Sequence, residues 1–261
     1  MPSFEALRKT LKNPEFVWDY LRRKSKLIGV RKHQQYKRFI ILARSRTGSN
    51  LLISYLNHHT HIIAQTELFQ NASRDSFESV LNDIFKSYPI PIKAVGFKIF
   101  YYHPINGDGT ALWEKLVAMK DLHVIHLKRR NILRTMISRK IAAQKDSWTA
   151  FEAKDQAGQA TKRVTFTPAE LTEGFEQTRS WEEEGERMFK EHPLLTLYYE
   201  DLAESPEKIF QNITEFLGLD YQTPKTFFQK QNPEKTSDLL GNYIDLKDHF
   251  AETPWSSFFN D

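Results

Sequence analysis

Five short apolar runs punctuate the chain: Phe39–Ala43, His61–Ala64, Ala94–Phe100, Leu122–Leu127 and Leu194–Tyr199. Each has strand length, and continuous apolar runs mark strands that are buried on both faces, as in parallel sheets. Between them the period changes. Leu51, Leu52, Tyr55 and Leu56 recur at helix spacing, as do Phe77, Val80, Leu81, Ile84 and Phe85. Pro168 opens a long acidic helix, predicted from Ala169 to about His192, with Phe175, Trp181 and Met188 as inward residues. Ser205-Pro206-Glu207 is a helix start with proline at its first position, and Gly218 ends that helix. Strands alternating with helices predict an α/β protein: three layers, α/β/α, around a mostly parallel sheet.

The pattern fails in one place. From Gln144 to Thr165 there is no clean period, and a loop of that length is usually a functional lid or disordered. Residues 144–166 are therefore read as a lid on the acceptor side, with Lys145 and Trp148 as substrate-binding residues. No linker or internal repeat divides the chain, so residues 1–261 are expected to form one domain.

Composition narrows the class. With 40% hydrophobic and 13% aromatic residues the chain has enough apolar surface for a core. The absence of cysteine removes disulfides, thiolate metal sites and cysteine nucleophiles, and fits a reducing compartment. No apolar run reaches membrane-spanning length and the N-terminus is charged, so the expected location is cytoplasmic. The net charge of +4 is uneven, because residues 1–37 alone carry +7 and the rest of the chain is net negative. This basic N-terminal arm offers a contact to nucleic acid or to an anionic membrane surface. The preferred reading is a solvated helix whose apolar side (Phe4, Leu7, Leu11, Phe16, Val17, Tyr20, Leu21) packs on the domain.

Candidate chemistry sits after two of the predicted strands. Phe39–Ala43 runs into Arg44-Ser45-Arg46-Thr47-Gly48-Ser49-Asn50 and then a helix. A helix N-terminus binds anions through unpaired N–H groups and the dipole, and here two arginines, three hydroxyls and a glycine join it. The Walker pattern is absent, because no lysine follows Gly48. Leu122–Leu127 runs into Lys128-Arg129-Arg130-Asn131, a basic group at a strand's C-terminal end, where open α/β sheets bind ligands. If Asn131 begins a helix, Ser138 lies about two turns along, so that Arg130 and Ser138 could hold one phosphate.

These blocks resemble the sulfotransferases that use 3′-phosphoadenosine 5′-phosphosulfate (PAPS). Arg46-Thr47-Gly48-Ser49 is similar to the family's 5′-phosphosulfate loop, and Arg130-Asn131 with Ser138 to its 3′-phosphate segment. Tyr198-Tyr199-Glu200-Asp201-Leu202 and Phe216-Leu217-Gly218 resemble a third block, so the likeness spans roughly residues 38 to 219 in the family's order. Gly96-Phe97-Lys98 and Lys230-Gln231-Asn232 look most like the bacterial carbohydrate sulfotransferases of the Nod factor and trehalose type.

The resemblance implies a P-loop-like sulfotransferase fold, PAPS as co-substrate and adenosine 3′,5′-bisphosphate (PAP) as product. It implies a hydroxyl of a small molecule, sugar or glycolipid as acceptor, with no nucleic-acid partner. Arg44, Ser45, Arg46, Thr47, Gly48, Ser49, Asn50, Arg130, Ser138 and Tyr199 become donor-binding candidates. Lys230, Gln231 and Asn232 join them in a tail, with Asn242-Tyr243 and Trp255, that closes over the nucleotide. Arg46 stands where many members have a catalytic lysine and would stabilise charge, since arginine stays protonated. Arg44 either faces the sulfate or braces the loop; Tyr199 is either an adenine neighbour or a core tyrosine.

Two side chains compete as general base. Glu67 follows a short strand in a Glu-x-Phe segment like that of trehalose-type members; His103 lies where cytosolic members place their histidine, and Glu67 is preferred. Lys98 would support the sulfate or the carboxylate. A metal is not required, because a sulfuryl group carries less charge than a phosphoryl group. His58, His59 and His61 lack a carboxylate at ligand spacing and read as a solvated helix end. The alternatives are a P-loop nucleoside-triphosphate-dependent small-molecule kinase, and a non-catalytic binder working through the basic arm.

Overall fold

The computed structural model describes residues 21, 24–29, 31–145, 163–226 and 234–260. Most of the basic arm, the centre of the predicted lid and residues 227–233 lie outside them. Five parallel strands form the central sheet: β2 (Lys37–Ala43), β3 (Ile62–Gln65), β5 (Ala94–Phe100), β6 (His123–Lys128) and β7 (Leu194–Tyr198). They match the five apolar runs, with ends shifted by at most two residues. A separate two-stranded antiparallel pair joins β1 (Lys32–His33) to β4 (Tyr88–Pro89).

The strand order β3-β5-β2-β6-β7 puts β2 at the centre, with the chain leaving first to one side and later to the other. That reversal is the topological switch point at which open α/β sheets bind ligands. Register aligns the ends, Ala43 facing both Phe100 and Leu127. Arg44, Tyr101 and Lys128 therefore emerge together along one edge.

Helices cover both faces. α1 (Ser49–His58) and α7 (Pro206–Phe216) enclose one core around Phe39, Ile41, Leu56, Phe210 and Ile213. α2 (Phe77–Ile84) and α3 (Thr110–Ala118) enclose the other around Ile40, Phe69, Phe97 and Leu112. A third core joins α4 (Ile132–Lys145), α5 (Pro168–Met188) and the C-terminal segment through Leu133, Phe175, Phe250 and Phe258. α6 (Tyr199–Glu204), α8 (Thr236–Leu239) and α9 (Tyr243–His249) are short.

Local chemistry explains the ends. Thr167 and Glu170 form a reciprocal capping box at the start of α5, with Pro168 at its first position. Gly218, at φ 66°, ends α7. α5 stops at Met188, a turn earlier than predicted, and its buried face is Leu171, Phe175, Thr178, Glu182 and Gly185. Of the inward residues expected there, Phe175 is buried while Trp181 and Met188 are half-buried. Leu171 and Phe175 of this face join the third core, whereas Thr178 faces Arg44.

Two other expectations change. α4 runs to Lys145, so the aperiodic segment begins in helix, and its far end is pinned where Val164 bridges Leu240. Lys26 of the basic arm is not a free surface charge. Its ammonium donates to the carbonyls of Asn57 (2.6 Å), His59 (2.6 Å) and Ile62 (2.9 Å), at the C-terminus of α1 where the dipole favours a cation. Among the described residues no helix is long and apolar enough to cross a membrane.

Candidate active site

The loop Arg44–Gly48 leaves the C-terminal end of the central strand and opens α1. Two residues in it take the left-handed conformation, Arg46 at φ 70° and Gly48 at φ 81°. A non-glycine residue there stores strain, which the surroundings must hold in place. They do so from three sides. Thr47 Oγ1 donates to the Arg44 carbonyl at 2.8 Å, and Arg129 donates to the Arg46 carbonyl at 3.0 Å. Arg46 Nε donates to Ser138 Oγ at 2.9 Å. Glycine is obligatory at 48 for a second reason: a Cβ there would lie 2.3 Å from Cδ2 of Tyr199. The backbone thus lies against the Tyr199 ring, and the first-turn N–H groups of α1 have no acceptor within the helix.

Burial decides the role of each arginine. Arg44 is 5% exposed, donates to Thr178, and lies 5.9 Å from the Trp181 ring centre. It braces the loop against α5, and burial pulls its pKa down to about 10. Arg129 sits 4.5 Å from the centre of the Tyr199 ring, and burial likewise pulls it down to about 10. Arg46 is also lowered by burial, yet it stays charged at any working pH.

The second block lies at the end of β6. Asn131 Oδ1 accepts from the Arg134 amide at 3.0 Å and closes the first turn of α4, which places Ser138 two turns in. Ser138 meets Arg46. Arg130 turns the other way, into a two-pronged pair with Asp201 at 2.7 Å for each bond, stacked 4.3 Å from the centre of the Tyr198 ring. Arg130 and Ser138 thus make different contacts, with Asp201 and Arg46 respectively. Glu200 joins the blocks by accepting from the Arg130 amide at 3.1 Å. Tyr199 is not the end of a strand but the first residue of α6, half-buried against Gly48.

A third group faces the loop from β5 and from the segment after β3. Lys98, 2% exposed, places its ammonium 2.7 Å from Glu67 Oε1 and 2.6 Å from Asn50 Oδ1. Burial lowers the Lys98 pKa, and the Glu67 carboxylate opposes that shift. Glu67 thus stands beside the anion loop, with about a quarter of its side chain exposed (27%). His103 differs. It is 2% exposed, its Nδ1 accepts from the Phe100 amide at 3.3 Å, and its Nε2 is enclosed without a partner. Burial holds it at about 4, so it is neutral and weakly basic near pH 7.

Some expected residues lie elsewhere. Trp148, Lys230, Gln231 and Asn232 fall outside the described residues, as does the Lys145 side chain. Asn242 and Trp255 serve the fold: Asn242 Nδ2 donates to the Phe166 carbonyl at 2.8 Å, and Trp255 packs 5.3 Å from Phe175. His59 and His61 bind the carbonyls of Asp220 (2.9 Å) and Pro91 (2.6 Å). Sequence reasoning missed the struts. Arg129 had only its place in a basic run to mark it, and Tyr102, whose hydroxyl accepts from the Ser45 amide at 3.3 Å, had no signal at all.

The site therefore offers a strained cationic loop at a helix N-terminus, a basic strand end beside it and a carboxylate within one lysine of the loop. Lys128, the last residue of β6, pairs with Glu186 at 2.6 Å, in the place where a nucleoside-triphosphate enzyme would carry an acidic metal ligand.

The sequence model of the Sulfotransferase family matches residues 116–223. Nodulation protein H of Rhizobium tropici is 27% identical over 239 residues, covering 85% of this chain and 92% of that protein. Nodulation protein H of Rhizobium meliloti (strain 1021) is 24% identical over 236 residues, 85% of this chain and 94% of the relative. Among solved structures, a sulfotransferase from Alicyclobacillus acidocaldarius superposes with a TM-score of 0.49 at 16% identity, over 85% of this chain and 93% of its own. On the matched segment and these relatives, the chain resembles the sulfotransferase family and, among its relatives, the bacterial nodulation protein H type.

Proposed function

We propose that the protein transfers the sulfuryl group of PAPS to a hydroxyl of a carbohydrate or glycolipid, with Glu67 as general base. One observation supports the reading: the helix that the anion loop opens and the Glu67 carboxylate are joined through a buried cation, Lys98. The loop fits the donor, because its N–H groups, Arg46 and Ser138 converge on a backbone kept bare by Gly48. PAPS is the substrate that supplies the sulfuryl group.

In the transfer, Glu67 takes the proton of the acceptor hydroxyl while the acceptor oxygen bonds to sulfur. The bond from sulfur to the bridging 5′-phosphate oxygen breaks, and PAP leaves with the electron pair. Arg46 and the N-terminus of α1 stabilise the charge gathering on that phosphate. Glu67 suits the proton step better than His103, since it is partly exposed beside the loop and His103 is enclosed. The sugar acceptor is supported by the likeness to nodulation protein H and to carbohydrate-acting members. Residues 1–261 acting as one cytoplasmic domain, with no metal, complete the reading.

The test is transfer of radiolabelled sulfur from PAPS to N-acetylglucosamine oligosaccharides and to trehalose, without added metal. Label on a sugar, lost in Glu67→Gln and kept in His103→Asn, is the expected result. Phosphate transfer from ATP with magnesium, and none from PAPS, would replace this reading with the kinase one.

A further inference from the structure

Lys98 is on the central part of the sheet, 2% exposed, yet it touches two elements remote in sequence. An ammonium has three donors and no acceptor, so it fixes the polarity of whatever it contacts. Asn50 must turn Oδ1 toward it. The Nδ2 amide, which has no hydrogen-bond partner among the described residues, is then left as a donor at the second position of α1. Glu67 likewise engages Oε1 and leaves Oε2 without a described partner. Were Lys98 apolar, the Asn50 amide would have no reason to prefer either orientation.

We infer that Lys98 is a positioning residue that locks the Asn50 amide as a hydrogen-bond donor to the sulfuryl group of the donor, and ties that amide to the acceptor-side carboxylate. The inference rests on the donor reading above. It makes recognition of the sulfuryl group, as distinct from the nucleotide, depend on a side chain that does not touch it. A sulfuryl oxygen brought to this place gains a donor already oriented, with no ordering cost at binding.

The experiment is calorimetric binding of PAPS and of PAP to the full chain, to Lys98→Met, to Asn50→Leu and to Glu67→Gln. PAP lacks the sulfuryl group. Lys98→Met is expected to weaken PAPS about tenfold, the worth of one hydrogen bond to a charged group, while PAP changes less than twofold. Asn50→Leu should show the same selective loss, and it keeps the test open if Lys98→Met does not fold. Glu67→Gln still offers Lys98 an acceptor oxygen and should shift PAPS and PAP together, leaving the ratio of the two affinities as in the wild type. Equal losses of PAPS and PAP in Lys98→Met and Asn50→Leu, the mark of a merely structural role, would overturn the inference, as would unchanged PAPS affinity. A wild-type chain that binds neither nucleotide would instead overturn the donor reading itself.

Discussion

At the scale of single residues, Arg46 and Glu67 carry the account. Arg46 reaches Ser138 through Nε and is held in a strained backbone by Arg129. Arg46→Ala is expected to lower kcat by about 10²–10³-fold, the usual cost of removing one transition-state charge stabiliser, with little change in Tm. Activity near wild type would remove its assigned role. Glu67→Gln should lower kcat by about 10²-fold or more, whereas His103→Asn should act mainly on stability, because its ring is enclosed and neutral. The loop arginines were legible from sequence, since they follow a strand and precede a helix within a few residues. The Lys98 contacts were not: Lys98 and Asn50 are 48 residues apart, and Arg44 and Thr178 are 134 apart, so only the fold brings them together.

At the scale of elements, the entry of α1 is the critical joint. Gly48→Ala introduces both a left-handed alanine, costing roughly 1–2 kcal/mol, and a clash with Tyr199. It should lower Tm and abolish PAPS binding. Adding Tyr199→Ala removes the clash and not the backbone cost, so the double variant should recover part of the Tm. No recovery would mean that the ring is not what presses on Gly48. The other end of α1 is held by Lys26. Lys26→Met should cost about 1–2 kcal/mol without altering the loop, read as a lower Tm with unchanged PAPS affinity. The strands were readable because buried parallel strands are continuous apolar runs. The inner face of α5 was read only in part: Phe175, Trp181 and Met188 pack inward, but Thr178 faces a buried arginine that no local pattern announces.

At the scale of the whole molecule, α/β layering followed from the alternation of runs, but the order β3-β5-β2-β6-β7 had no local signature. Strand order depends on which side each crossover takes, and no residue encodes that alone. The fold also sets a pH response. Burial holds His103 at about 4 and His126 at about 3, both below the ordinary ~6.5 of the unfolded chain. Below pH ~6.5 the unfolded chain binds protons that the fold refuses, so stability is fully present above that pH. It declines as pH falls toward 4 and 3, by up to ~1.4 kcal/mol per pH unit for each histidine. Tm should fall between pH 7 and 5, and His126→Gln should flatten that slope; an unchanged slope would place the lability elsewhere.

The central claim is a nucleotide site built for a sulfonated donor and not for ATP. Calorimetric binding of PAP, set against ATP with magnesium, tests it most directly. The account predicts tight, metal-independent binding of PAP, weakened at least tenfold by Arg46→Ala. Preference for ATP with magnesium would contradict it.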